Sequence, residues 1–161
     1  MISDDDFLAC LRESLAAITA PRFFQTERGY QGALLTQLTG CLQLPDYGIV
    51  EQEYQKQALL HGLTIRPDII VHEPFNSDRH HARTEGNVAV VELKLRARPA
   101  DALADFESLR AMLDALRYRL GVFVNIDSTA THAGLLPDDL RGRVVCFAVA
   151  LSNGIPQVVE Q

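Results

Sequence analysis

The chain has 161 residues, 47% of them hydrophobic, which is enough for one domain with a real core spanning residues 1–161. A formal charge of −6 argues against a general DNA-coating protein without excluding an enzyme that acts on nucleic acid through a local field. No basic leader with an apolar run and no bilayer-length stretch is read, and Cys10, Cys41 and Cys146 lack metal-ligand spacing, so reduced buried cysteines, a cytoplasmic location and no membrane contact are expected.

Ser3 reads as an N-cap, with Asp4, Asp5 and Asp6 in the first turn of a helix. Phe7, Leu8, Leu11, Leu15 and Ile18 recur at helical spacing until Pro21 ends it. A second helix is predicted over 26–39, where Tyr30, Gln31, Leu34 and Leu38 form one stripe with Glu27 a turn before them. If Leu34 and Leu38 dock on a sheet, Glu27 is carried toward that sheet. Gly40 and the run Pro45-Asp46-Tyr47-Gly48 break the chain, and residues 49–54 read as a polar first strand at an edge.

Residues 55–62 carry no clear signal, whereas 63–72 and 88–95 read as strands around a polar, turn-rich reversal. Asp101 is the expected N-cap of a helix over 101–120, buried through Leu103, Phe106, Leu109, Leu113, Leu116 and Leu120, with Gly121 as its stop. Residues 122–126 and 144–151 complete the set as two apolar strands, the second of the buried type.

Charge within two of these strands is the informative feature. Arg66-Pro67-Asp68-Ile69-Ile70-Val71-His72 and Val90-Val91-Glu92-Leu93-Lys94 pair most simply as an antiparallel hairpin. A register matching Ile70 with Val90 sets Asp68 opposite Glu92, and alternation puts Glu92 and Lys94 on one face with Asp68 able to join them. Two carboxylates and an amine at a sheet end suit a hard divalent cation, Mg²⁺ or Mn²⁺, with a charged helper that orients or deprotonates a water. Lys94 is one of two lysines against thirteen arginines, so its place in an apolar strand is not background. The competing reading makes Asp68, Glu92 and Lys94 ordinary surface ion pairs of small energetic weight.

At Pro67-Asp68 and Glu92-Leu93-Lys94 the chain resembles the PD-(D/E)XK nuclease superfamily. The resemblance implies an α/β, restriction-endonuclease-like core (helix, three-strand antiparallel meander, helix, strand) over about residues 26–151, with an extra N-terminal helix and a C-terminal strand. It implies a metal-dependent phosphodiester hydrolase acting on nucleic acid, DNA ahead of RNA, alone or as a homodimer or part of a larger complex. Asp68 and Glu92 would bind the ion, with the Leu93 carbonyl as a third oxygen. Glu27, for which Glu13 is the weaker alternative, would hold a second ion or a water. Gln31, Arg96 and Arg98 would meet substrate. The alternative is the same fold without cleavage, serving as a nucleic-acid- or protein-binding module.

Other polar residues carry less. The adjacent His80 and His81 have no ligand partner at suitable spacing and read as loop residues, and His72 reads as a satisfied strand residue. Arg79 and Arg83 at the hairpin tip could reach further along a nucleic-acid strand. Arg110, Arg117 and Arg119 read as a solvated helix face. No Gly-rich phosphate loop, nucleophile elbow or cofactor fingerprint is present.

Overall fold

The structure, a computed structural model, describes residues 2–45, 47–52, 65–82 and 84–161. The Ser3 side chain accepts the Asp6 N–H at 3.1 Å and starts helix α1, Asp4–Ala17. A 3-10 turn at Pro21–Gln25 follows, and the Thr26 hydroxyl accepts the Gly29 N–H to open α2, Glu27–Cys41. Three strands come next, β1 (Ile49–Gln52), β2 (Ile69–His72) and β3 (Asn87–Leu95). Helix α3 (Pro99–Ala115) crosses over to β4 (Leu120–Ile126), and β5 (Val144–Ser152) and β6 (Ile155–Glu160) close the order.

Among the described residues six strands form one mixed sheet in the order β1-β2-β3-β4-β5-β6. Neighbours are antiparallel for β1/β2, β2/β3 and β5/β6 and parallel for β3/β4 and β4/β5. Helices cover both faces. Phe7, Leu11, Tyr30, Leu34 and Leu38 of α1 and α2 pack on Ile69, Val71, Val91, Leu93 and Val124. Phe106, Leu109 and Leu113 of α3 pack on Ile70, Val90, Phe123 and Cys146 of the opposite face. Burial on both faces explains why β3 and β4 read as continuous apolar runs instead of alternating ones. Among the described residues no helix is long and apolar enough to cross a membrane.

Several expectations are corrected. The α3 helix stops at Ala115 and not at Leu120, because Arg117 takes a left-handed conformation (φ 58°) that lets the chain turn into β4. Leu120 and Gly121 therefore begin a strand. A Cβ at Gly121 would lie 3.0 Å from Val144 Cγ2 and 3.3 Å from Leu113 Cδ1, so this glycine permits close helix–sheet approach and does not end a helix. Arg98 occupies the N-cap with Pro99 after it, and Asp101 sits in the first turn, accepting the Arg98 N–H at 3.0 Å. Leu103 is 44% exposed instead of buried.

Strand β6 was not anticipated. Asn153 (φ 51°) and Gly154 (φ 77°) form a two-residue turn that pairs Ser152 with Ile155, and Pro156 is tolerated because β6 is an edge. Cys10 and Cys41, expected to be reduced, form a disulfide joining α1 to α2 across a Cα–Cα distance of 5.9 Å, while Cys146 is a buried free thiol. Strand β2 begins at Ile69, and the predicted residues 53–64, like Arg83, lie outside the described residues.

Candidate functional site

The expected register is the observed one: Ile69 pairs with Val91 and Ile70 with Val90. Asp68, just before β2, therefore falls beside Glu92. Its Oδ2 accepts the Leu93 N–H at 2.7 Å, where a further β2 residue would otherwise have paired. In an extended strand a residue's N–H and C=O point toward the same neighbour, so the Leu93 carbonyl faces this side of β3 as well. Glu92 is buried and Lys94 half-buried, both on the α3 face with Val90.

Two residues of α2 meet this end of the sheet. Gln31 is buried and its Nε2 donates to the Asp68 carbonyl at 2.7 Å, so it supports the backbone under the acid. Glu27 Oε2 accepts the Leu95 N–H at 3.2 Å and lies 3.8 Å from Lys94 Nζ. The Thr26 cap fixes the helix end from which Glu27 reaches.

A fourth carboxylate was missed. Asp105 of α3 has a side chain only 13% exposed, and its Oδ2 lies 3.8 Å from Lys94 Nζ. That oxygen has no hydrogen-bond partner among the described residues. The sequence carried the signal: Asp105 is three residues after Ala102 and four before Leu109, both buried, so helical spacing sets it on the sheet-facing stripe.

The charges are strongly coupled. Burial, reinforced by Asp68 and Asp105, lifts the Glu92 carboxyl well above the usual range. Burial also raises Asp68, opposed by the Leu93 N–H. Asp68 and Glu92 influence each other strongly enough to titrate as a coupled pair. Burial pushes Asp105 up to about 6, with Lys94 pulling the other way. Burial disfavours the Lys94 ammonium, but Asp105, Glu27, Asp68 and Glu92 outweigh it and raise its pKa.

All donors here are oxygens, the chemistry a hard cation takes, and binding such an ion would favour the ionised form of these buried acids. As the side chains sit, no group of three His, Cys, Asp or Glu residues is arranged to hold a metal ion among the described residues. The donor types fit a divalent cation, while Asp68 and Glu27 are presently engaged by backbone N–H groups.

Arg96 (φ 50°) binds Asp127 at 2.7 Å, and Arg98 pairs with Asp101 at 3.0 Å, both exposed beside the site. Buried Asn125, level with Lys94 on β4, accepts the Ala97 N–H and donates to the Ala130 carbonyl, fixing the turns around them. Glu13 lies by Cys41 at the other end of α2. Arg79 stacks on Tyr47 beyond the opposite ends of β1 and β2. His72 bonds Glu51, His80 bonds Glu73, Arg110 binds Glu107 and Asp139, and Arg119 binds Asp4. No protein-family model matches the chain, and no curated protein is significantly similar to it.

Proposed function

We propose that this chain is a metal-dependent phosphodiester hydrolase of the PD-(D/E)XK type, acting on nucleic acid with Mg²⁺ or Mn²⁺. The observation that carries the reading is the meeting of Asp68, Glu92 and Lys94 at one end of the β2–β3 pair, with Glu27 reaching the same point from α2. The order α2, β1-β2-β3 antiparallel meander, α3, β4 agrees with the restriction-endonuclease-like core that the resemblance implies, and α1 would be an addition before it.

Asp68 and Glu92, with the Leu93 carbonyl and Glu27, are the groups that would hold the cation. A divalent ion there would neutralise charge developing on a phosphoryl oxygen and favour ionisation of a water. Lys94 would orient or activate that water, and its ammonium form offers a positive charge to the phosphate. Gln31 keeps Asp68 in place through its carbonyl. Arg96 and Arg98 exchange their carboxylate partners for phosphates at the rim.

The test is cleavage of single-stranded, duplex and branched DNA, and of RNA, with and without Mn²⁺, by the parent chain and by Asp68→Asn and Lys94→Ala. Metal-dependent cleavage lost in both variants is expected. Cleavage equal to the parent in either variant removes that residue's role. A second reading, a binding module of the same fold that does not cut, is favoured by the charge of −6 and by the acid partners of Arg96 and Arg98. Its signature is nucleic-acid or protein binding with no cleavage under any metal.

A further inference from the structure

Lys94 is held by two helices on opposite faces of the sheet. Its Nζ lies 3.8 Å from Glu27 Oε2 of α2 and 3.8 Å from Asp105 Oδ2 of α3. Both separations are too long for hydrogen bonds, so the ammonium is suspended between two anions and its donors stay available. The two anions are not equivalent. Glu27 is tethered by the Leu95 N–H, whereas Asp105 Oδ2 is buried without a hydrogen-bond partner among the described residues. A carboxylate oxygen in that position, next to Phe106 in the buried stripe of α3, is costly to desolvate unless a cation compensates it. Lys94 is that cation.

We infer that Asp105 is a positioning residue that holds the Lys94 ammonium over the Asp68–Glu92 pair, and this role rests on the nuclease reading above. Glu27 alone would hold the flexible lysine from the α2 side only, leaving nothing on the α3 side to fix it. With Glu27 engaged by a cation, Asp105 is the remaining counter-charge that keeps the amine in place. The reaction geometry thus depends on α3 as well as on the two strands that bear the motif.

The chain has two lysines, so ε-¹³C-lysine labelling gives two side-chain signals, and Lys56→Arg identifies that of Lys94. An amine fixed between two anions shows separate shifts for its two ε protons, and a free one shows a single averaged shift. Separate shifts are expected in the parent and in Asp105→Glu, collapsing in Asp105→Asn. In the cleavage assay Asp105→Asn is expected to lower kcat roughly 100-fold at unchanged KM, with partial rescue by Asp105→Glu. A Lys94 signal in Asp105→Asn superimposable on the parent overturns the inference, as does unchanged kcat in an active parent background. A parent chain that cleaves nothing sinks the nuclease reading instead, and the lysine signal alone then decides whether Asp105 restrains Lys94.

Discussion

The Leu93 N–H donates to Asp68 Oδ2 at 2.7 Å, so one carboxylate both finishes the β2–β3 ladder and faces Glu92. Structure and chemistry are therefore separable at this position. Asn at residue 68 keeps an oxygen acceptor for the Leu93 N–H, while Ala leaves that donor unpaired. Asp68→Asn should retain the parent melting temperature within a few degrees and lose cleavage. Asp68→Ala should also lose about 1–3 kcal/mol of stability, read by urea unfolding. Equal stability of the two variants would show that the hydrogen bond contributes little.

The pH dependence has a defined sign. Burial raises Asp105 from the ordinary 3.8 to about 6 and lifts Glu92 well above its usual range. The folded chain then holds more protons than the unfolded chain across this window. Their contribution is complete below about pH 4 and is lost as pH rises through 6 and, for Glu92, beyond. A divalent cation competes with those protons, so the Mn²⁺-induced rise in melting temperature should be larger near pH 8 than near pH 5. Thermal unfolding at the two pH values, with Asp105→Asn expected to flatten the metal-free slope, checks this. A metal-free stability that increases over the window would contradict it.

The Cys10–Cys41 disulfide closes a loop over a sequence separation of 31. By the chain-entropy argument its reduction should cost ~3–4 kcal/mol. Thiol titration of the unfolded chain should count one cysteine, Cys146, before reduction and three after it. A melting temperature indifferent to reductant would show that helix packing alone sets the α1–α2 contact.

Tyr30 is fully buried, and its hydroxyl has no hydrogen-bond partner among the described residues. Burial raises the phenol pKa, in keeping with an apolar setting. Tyr30→Phe removes a polar atom that forms no bond while keeping the edge contact to Phe24. The variant should be as stable as the parent or more stable by up to ~1 kcal/mol. Clear destabilisation would mean that the hydroxyl is satisfied.

Gly121 offers the converse test. The nearest obstacle to a Cβ is Val144 Cγ2 at 3.0 Å, on a β-branched side chain in a central strand that moves little. Gly121→Ala should destabilise by about 1–3 kcal/mol through overpacking between β4, β5 and α3. A neutral effect would show that Leu113 and Val144 can give way.

Local pattern and distant pairing were unequally legible in the sequence. The Ile70–Val90 register is the one that brings Asp68 beside Glu92, since a slip by one residue would put the two acids on opposite faces. The end of α3 was not legible, because Leu116 and Leu120 prolong the helical spacing past the point where Arg117 reverses the backbone. Asp105 was readable at its stripe position but hidden among exposed acids of the same helix. Strand β6 is too polar to stand out, although Asn153-Gly154 is a hairpin signal. The joining of Cys10 to Cys41 depends on how two helices pack, which spacing alone does not encode.

Helix α2 bears Glu27 at its first residue and Cys41 at its last, with fifteen residues and therefore about 22 Å between its ends. The covalent staple pins one tip to α1, and the Leu95 amide catches the other. The helix behaves as a strut braced at both tips, and the acid it delivers has little room to wander. Shortening or kinking that strut at mid-span would move Glu27 off its mark without touching a single polar atom near Lys94.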